Sequence, residues 1–468
     1  MSNGRRPAHL RDVLRSPLAG LFLLGLAVRL AGTLFNGITD LYQILLDWGF
    51  SVHRDGLVSA FRINYGILSY AMFGLAAAGA ESIPRFWWAP YKLIILAFDI
   101  ALLLVLLRIV PPERRKLALA LYWLNPWFVL HEAYYGFWEA PHILFGLLAV
   151  LVVRRTNRVG AWALAGALLM GSAMFKPQGL VHFIGPVGVY LAVQALRGTT
   201  APLGWYLVGI STTVAGTSAL IRATGGSALA LFNNYRSAFT LQSGISNGGP
   251  GIWRFIAFVY MRMTGQTGHV SFSRMPRPAI GALSAVAAIA SLTILVAFAW
   301  QGRFKHDRKS SDEEDRGRAQ VFLLVLALGS FVLSQFGARA HINHTYTAMV
   351  LLVPLAVASR EMRQLWVAMN VLLGLSHLLI FGLGNAFLLP PADILHRYTA
   401  AQGLIAQVTS LPAYRTPDWL MLIQQWVGDG VQRLPGETIV SLLSVVVFVM
   451  ACLTVRTIFK FDRTQDLI

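Results

Sequence analysis

The sequence predicts an all-α polytopic membrane fold with about 12 transmembrane helices and amphipathic helices in its long outer loops; three observations carry this. Of 468 residues, 56% are hydrophobic and only 13% charged, with a mean hydropathy of +0.58, against the roughly 25% charged residues usual in soluble domains. The apolar residues come in runs approaching the ~20 residues that carry a helix across a ~30 Å hydrocarbon core. Lys and Arg gather in short clusters between the runs, on alternate junctions, which is the positive-inside pattern.

The formal charge of +18 is therefore topological, and no nucleic-acid partner is expected. A single cysteine, Cys452, excludes an internal disulfide framework and a cysteine-based zinc site. The first apolar run, 18–35, follows Arg5, Arg6, Arg11 and Arg15. A cleavable leader would have a shorter core ending in a small-x-small site, so this run reads as a retained first helix behind a cytoplasmic tail, 1–16.

Twelve spans follow in order, at 17–36, 91–110, 117–133, 140–153, 161–175, 180–196, 202–222, 280–300, 320–337, 345–359, 364–384 and 437–456. With the N-terminus inside, the inner junctions are 111–116, 154–158, the turn at Arg197, 303–318, 360–363 and the tail after Arg456, nearly all basic. One miscounted helix would put the later basic junctions outside. The apolar stretch 67–80 is accordingly read as lying on or dipping into the membrane. The chain divides into the tail, a transmembrane module 17–385 with outer loops 37–90 and 224–278, an outer loop 386–436, and a last helix with cytoplasmic tail, 437–468. The outer side is the elaborated one.

After the first span, Asp40, Gln43 and Asp47 share one helical stripe, while Leu41, Ile44, Leu45, Trp48 and Val52 share another. That pattern is an interfacial helix with its carboxylates turned from lipid. Two readings stand: a carboxylate serving as general base in a half-buried cleft, or acidic residues solvating and capping a helix. Between the third and fourth spans, His131, Glu132, Tyr134, Tyr135, Phe137, Trp138, Glu139 and His142 crowd one membrane edge. Ionisable groups there imply a polar cavity, although aromatic belts also gather at interfaces without chemistry.

Lys176 follows the fifth span with Gln178, Arg236 lies in the middle outer loop, and Arg339, His341 and His344 fall after the ninth span. Cations on the outer edge run against the positive-inside bias and ask for an anion, of which a lipid phosphate is the obvious one; snorkelling to headgroups is the alternative. His341 and His344 alone are too few for a metal site, and none is expected. Arg29 and Asp99 fall at similar depth inside the first and second spans and are expected to form an intramembrane ion pair with a structural role.

In this order the elements resemble the GT-C superfamily of polytopic glycosyltransferases that use polyprenyl-phosphate sugars. The family pattern begins with an acidic residue after the first span and a Trp-Gly-like element, here Asp40 and Asp47-Trp48-Gly49. A tyrosine-rich element follows, here Asn64-Tyr65-Gly66 to Tyr70, then an Asn-Pro, here Asn125-Pro126, and a Gly-Gln-x-acidic turn, here Gly136 to Glu139. Lys176-Pro177-Gln178 is similar to the family's Lys-x-Gln, and the stretch from Arg339 to His344 to its late outer His/Glu/Arg motif. Phe137 stands where the family has Gln, and Ile342 where many members have Glu.

The resemblance covers roughly the first 350 residues. It implies a mannosyltransferase-like enzyme that transfers a sugar with inversion from a polyprenyl-phosphate donor to a lipid-linked or glycan acceptor on the extracytoplasmic face of a bacterial plasma membrane, with no cofactor. On this reading Asp40 is the general base, and Lys176, Arg236, Arg339 and His341 face the leaving phosphate. Glu139 and His344 orient acceptor or sugar, Asp47 is a lesser candidate base, and Tyr65 and Gln178 belong to the substrate site. The competing expectation is a transporter or flippase, which the span count and the intramembrane charges also fit.

Overall fold

The computed structural model describes residues 17–38, 40–61, 65–155, 160–240, 251–266, 275–301, 311–337, 342–381, 395–411 and 436–461. Among them every regular element is helical. The N-tail, Thr39, Asn64, Arg339 and His341 lie outside the described residues.

Each predicted span falls on a helix. The first is α1 (Pro17–Gly32). A continuous helix follows, α2, made of Asp40–Tyr42, a π-helical stretch Gln43–Gly49 and Phe50–Asp55. Next come α3 (Ile67–Ser82), α4 (Ala89–Ile109) and α5 (Arg115–Trp123). The third span then breaks and resumes as α6 (Pro126–Val129), which ends in a π-helical turn, Leu130–Tyr134. After it run α7 (Ala140–Arg155) and α8 (Gly160–Phe175). A second π-helical turn, Leu180–Ile184, leads into α9 (Gly185–Leu196). The remainder is α10 (Ala201–Ala223), α11 (Ala230–Thr240), α12 (Ile252–Met263), α13 (Arg277–Gln301) and α14 (Ser311–Gln335). Then come α15 (Ile342–Leu351), α16 (Val353–Ala358), α17 (Arg360–Phe381), α18 (Gln402–Thr409) and α19 (Gly436–Phe461).

Among the described residues, four helices are long and apolar enough to cross a membrane: α13, residues 317–335 of α14, 360–380 of α17 and 438–460 of α19. The other predicted spans are shorter, broken, or carry charge. α4 has 21 residues but includes Lys92, Asp99 and Arg108. Large apolar side chains stay open on the outer surface, among them Leu24, Leu75, Leu104, Ile289 and Val371, each more than half exposed. A continuous core runs beneath them, with Leu102, Leu147, Phe322, Leu326, Met349 and Leu355 wholly buried.

The break in the third span has a local cause. Pro126 pushes Asn125 out of the helical region, to φ −66° and ψ 118°. The Asn125 side-chain oxygen then caps the new helix, accepting from the backbone N–H of Trp127 at 3.0 Å and of Phe128 at 3.4 Å. Its amide donates to the Asn370 oxygen at 2.8 Å, tying the break to α17.

α2 differs from its expected setting. Asp40 and Gln43 do face outward, with Leu41, Ile44 and Leu45 buried opposite. The buried face, however, packs on protein: on Met72, Phe73, Ala76 and Ala77 of α3, and on Leu404, Ile405 and Val408 of α18. The stretch 67–80 is thus a helix sandwiched between α2 and its neighbours, and part of 386–436 covers α2.

The expected ion pair between Arg29 and Asp99 is present. Arg29 Nε donates to Asp99 Oδ2 at 2.5 Å, both side chains being 1% exposed. Arg29 Nη1 also donates to the Trp123 carbonyl at 2.5 Å, its guanidinium lies 3.7 Å from the Trp123 ring centroid, and the Tyr122 hydroxyl donates to the other Asp99 oxygen. The pair thereby joins α1, α4 and α5. Arg29→Leu or Asp99→Leu alone leaves an uncompensated buried charge, a loss of about 3–5 kcal/mol. The double variant is expected to melt closer to wild type than either single in detergent. Additive losses across that mutant cycle would remove the pair from its structural role.

Candidate functional site

Two close backbone approaches bring together segments distant in the chain. Gly37, at φ +93°, lets the chain leave α1 and dock Ile38 N–H on the Tyr135 carbonyl at 3.1 Å; a Cβ here would meet that carbonyl at 2.7 Å. Only glycine takes this conformation and this contact without strain. Ile38, Tyr135 and Phe137 then form a small apolar cluster. It holds the start of α2, and so Asp40, against the turn that carries Glu139.

Gly66 makes the second approach. Its N–H donates to the Phe175 carbonyl at 3.1 Å, and Ser69 Oγ donates to the same oxygen at 2.7 Å. A Cβ on Gly66 would run into the backbone of Met174. Tyr65 is thereby set beside the end of α8, where Lys176 begins the next turn.

These constraints assemble a buried ionic centre. Lys176 Nζ donates to Glu139 Oε1, and the ammonium lies 4.2 Å from the Trp138 ring centroid. His142 Nδ1 lies 3.3 Å from the second Glu139 oxygen, with a helical turn between the two residues. All three are at most 3% exposed. Trp138 meets the Tyr65 ring edge-on at 4.9 Å, and Trp48 meets Tyr65 at 5.5 Å. His142 Nε2 lies 3.2 Å from Thr347 Oγ1 of α15.

Asp40 and Glu139 both lie within electrostatic reach of Tyr65. Solvent reaches Asp40, yet protein surrounds it closely enough that burial raises its carboxyl above the ordinary 3.8. Burial likewise pushes the Tyr65 phenol well up, and the nearby Asp40 and Glu139 carboxylates push it further. Tyr398 is raised by burial, and further by Asp47 and Asp40. A carboxylate of increased basicity, open to water and flanked by two phenols that hold their protons, is a proton acceptor beside hydrogen-bond donors.

Of the residues singled out from sequence, the structure gathers Asp40, Asp47, Tyr65, Glu139 and Lys176. His344 adjoins them through His182, whose ring it meets edge-on at 5.0 Å and which lies within electrostatic reach of Lys176. Gln178 shares the Lys176 turn, with its amide oxygen buried and no hydrogen-bond partner in the structure. Arg236 is exposed on α11, whose Leu231 and Tyr235 belong to one cluster with Phe61, Tyr70, Met174 and the site rings Trp48 and Tyr65. Arg339 and His341 lie outside the described residues. Lys176 differs from its expected role as a bare cation, because Glu139 already neutralises it.

Four neighbours escaped the sequence reading. His182 and Lys92 are ionisable groups inside apolar runs, which is itself a recognised signal. Lys92 Nζ donates to the Gly32 and Tyr134 carbonyls at 3.2 and 2.8 Å, closing the C-terminal ends of α1 and of the 130–134 turn. Tyr91, 6.3 Å from Trp138 across an edge-on ring contact, looked like a span boundary. Tyr398 carried no signal, because it comes from a distant loop. Among the described residues, no group of three or more His, Cys, Asp or Glu side chains is placed to hold a metal ion.

The sequence matches no family model and no curated protein.

Because folding raises the Asp40 carboxyl above its unfolded value, its contribution favours the native state at low pH and is lost as the pH climbs through the folded value. Asp40→Asn is therefore expected to melt above wild type at pH 7, with the gap closing below about pH 4. Melting curves of both proteins across that range check it; a variant less stable at pH 7 would show that the carboxylate serves the fold. Separately, Gly66→Ala should cost about 1–3 kcal/mol through overpacking and perturb the fluorescence of Trp138 as Tyr65 shifts. An unchanged melt and spectrum would remove Gly66 from the placement of Tyr65.

Proposed function

We propose that this chain is a GT-C-type inverting glycosyltransferase that crosses the membrane twelve times and moves a sugar, mannose first among the candidates, from a polyprenyl-phosphate donor to a lipid-linked or glycan acceptor. On this reading the N-terminus is cytoplasmic, the membrane is a bacterial plasma membrane, and the site opens on the far side. The observation that carries it is Asp40: a solvent-accessible carboxylate raised by burial, held by Gly37 and Ile38 beside the buried Glu139–Lys176 pair.

In the reaction, the acceptor hydroxyl oxygen forms its bond to the anomeric carbon as Asp40 takes the hydroxyl proton. The bond from that carbon to the phosphate oxygen breaks, and polyprenyl phosphate leaves with the electron pair. Tyr65 and Tyr398 donate hydrogen bonds to sugar or acceptor, and Asp47 backs Asp40. Glu139, fixed by Lys176 and His142, orients the incoming group more readily than it exchanges protons. The leaving phosphate falls to Arg236, Arg339, His341 and His344, with Lys176 behind them. Two apolar grooves of about 480 and 550 Å³ meet at Leu124, Pro126 and Leu130 and suit a long prenyl tail at membrane depth.

A second reading, a proton-coupled transporter or flippase, has one observation in its favour. Glu132 is wholly buried within electrostatic reach of Asp99, Glu139 and Tyr346, and such intramembrane acids mark proton relays. Reconstituted protein given labelled polyprenyl-phosphate mannose and a lipid acceptor separates the two. The enzyme is expected to place label on the acceptor, and Asp40→Asn to lower that rate by about 10²–10⁴-fold with donor binding retained. Label that crosses the bilayer without covalent change supports the transporter; full turnover by Asp40→Asn removes Asp40 as base.

Sidedness has its own test. Gln43→Cys, in a Cys452→Ser background, is expected to react with an impermeant maleimide applied to intact cells. Labelling only after the cytosolic face is opened would overturn the enzymatic reading.

A further inference from the structure

α17 and α19 run antiparallel, Glu361 meeting Lys460 and Met369 meeting Thr454, and a cleft of about 340 Å³ lies between the start of one and the end of the other. Its walls change character along the helix axis. Leu365, Ala368, Met450 and Leu453 line the part nearer the middle of the helices. Toward the helix ends the lining becomes polar, with Gln364 and Glu361 on α17 and Arg456, Thr457 and Lys460 on α19. Arg360 and Arg363 begin α17 at the same level. Four cations thus stand against one carboxylate, Glu361, among the described side chains of this rim.

The pairings within the rim leave charge to spare. Glu361 lies 3.9 Å from Lys460 and accepts from Thr457 Oγ1 at 3.3 Å. The ion pair is more than half exposed on both sides and therefore weak. Arg363 is turned inward, its Nε donating to the Ala356 carbonyl at 3.1 Å. Arg456 is exposed and lines the cleft, above walls that no polar side chain interrupts. A free anion would meet only the rim. A molecule carrying both a negative headgroup and hydrocarbon chains meets the rim and the walls together, and α17 and α19 are two of the helices long and apolar enough to stand in a bilayer.

We propose that the cleft between α17 and α19 binds one anionic glycerophospholipid of the adjoining leaflet, with Arg456 and Lys460 on its phosphate and the Leu365–Leu453 walls along its acyl chains. This is independent of the glycosyltransferase reading, since it uses none of the residues around Asp40 and requires only that the helices stand in lipid. By the positive-inside bias the leaflet is the cytoplasmic one.

The test is lipid occupancy of the full-length protein in nanodiscs of phosphatidylcholine doped with phosphatidylglycerol, read by native mass spectrometry. Wild type is expected to retain one phosphatidylglycerol in preference to phosphatidylcholine. The Arg456→Gln/Lys460→Gln double variant should bind it roughly thirty-fold more weakly, from the loss of two cations near the membrane surface. Leu453→Trp, which fills the apolar end without touching the cations, should weaken retention as well. Arg222→Gln on α10 serves as a charge control and should change nothing. Equal retention of the two lipids, unchanged retention in the double variant, or a loss of the same size in the control would each overturn the proposal. Displacement of the bound lipid by millimolar glycerol phosphate would show a headgroup site without a chain site, and would also overturn it.

Discussion

A charge inside a helical bundle sheathed in apolar side chains has no water to solvate it, so it persists only where another group of the protein replaces that water. This requirement organises the molecule. Arg29 finds Asp99, the Trp123 carbonyl and the Trp123 ring, and Asp99 finds Tyr122 in turn. Lys92 finds two helix-end carbonyls, and Lys176 finds Glu139 and the face of Trp138. Each satisfied charge bridges elements far apart in the chain. Together they connect α1, α4, α5, α7 and the end of α8 in a way that non-directional apolar packing does not specify.

The candidate site is built on that frame by contacts that tolerate no side chain. Gly37 at Tyr135 and Gly66 at Met174 bring backbones to touching distance. The segments they dock carry Asp40 and Tyr65. Rings then fill the space between: Trp48, Tyr65, Phe73, Tyr91 and Trp138 form a chain of edge-on and tilted contacts between 4.9 and 6.4 Å. Such contacts fix orientation as well as distance. The result is a rigid floor beneath a carboxylate that solvent still reaches.

Much of this was legible in the sequence, for identifiable reasons. The helical runs were readable because hydrocarbon demands a minimum apolar length, and the Arg29–Asp99 pair because two charges at one depth in apolar runs have few alternatives. The assembly of Asp40, Tyr65, Glu139 and Lys176 followed the order of short motifs. What escaped was whatever depends on partners distant in the chain. Nothing local tells that residues 395–411 fold back over α2 and bring Tyr398 to Asp40, or that the apolar face of α2 rests on α3 instead of lipid. The ion pair that neutralises Lys176 was equally hidden, since Glu139 lies 37 residues away. The break at Asn125 was visible as a dipeptide, while its hydrogen bond to Asn370 required the fold.

Three helical stretches are wound more loosely than their neighbours, Gln43–Gly49, Leu130–Tyr134 and Leu180–Ile184, and each adjoins the residues around Asp40 and Glu139. A wider turn holds one residue more than an α-turn, and in an α-helix each residue rotates the chain by about 100°. The surplus residue acts as a phase shifter, setting the angular offset between the two ends of its helix. Removing one there would leave length and composition almost untouched while swinging every side chain on one side of the turn to a different azimuth. Chain length through these three turns is thus under tighter constraint than residue identity, and insertions or deletions should be tolerated between helices long before they are tolerated here.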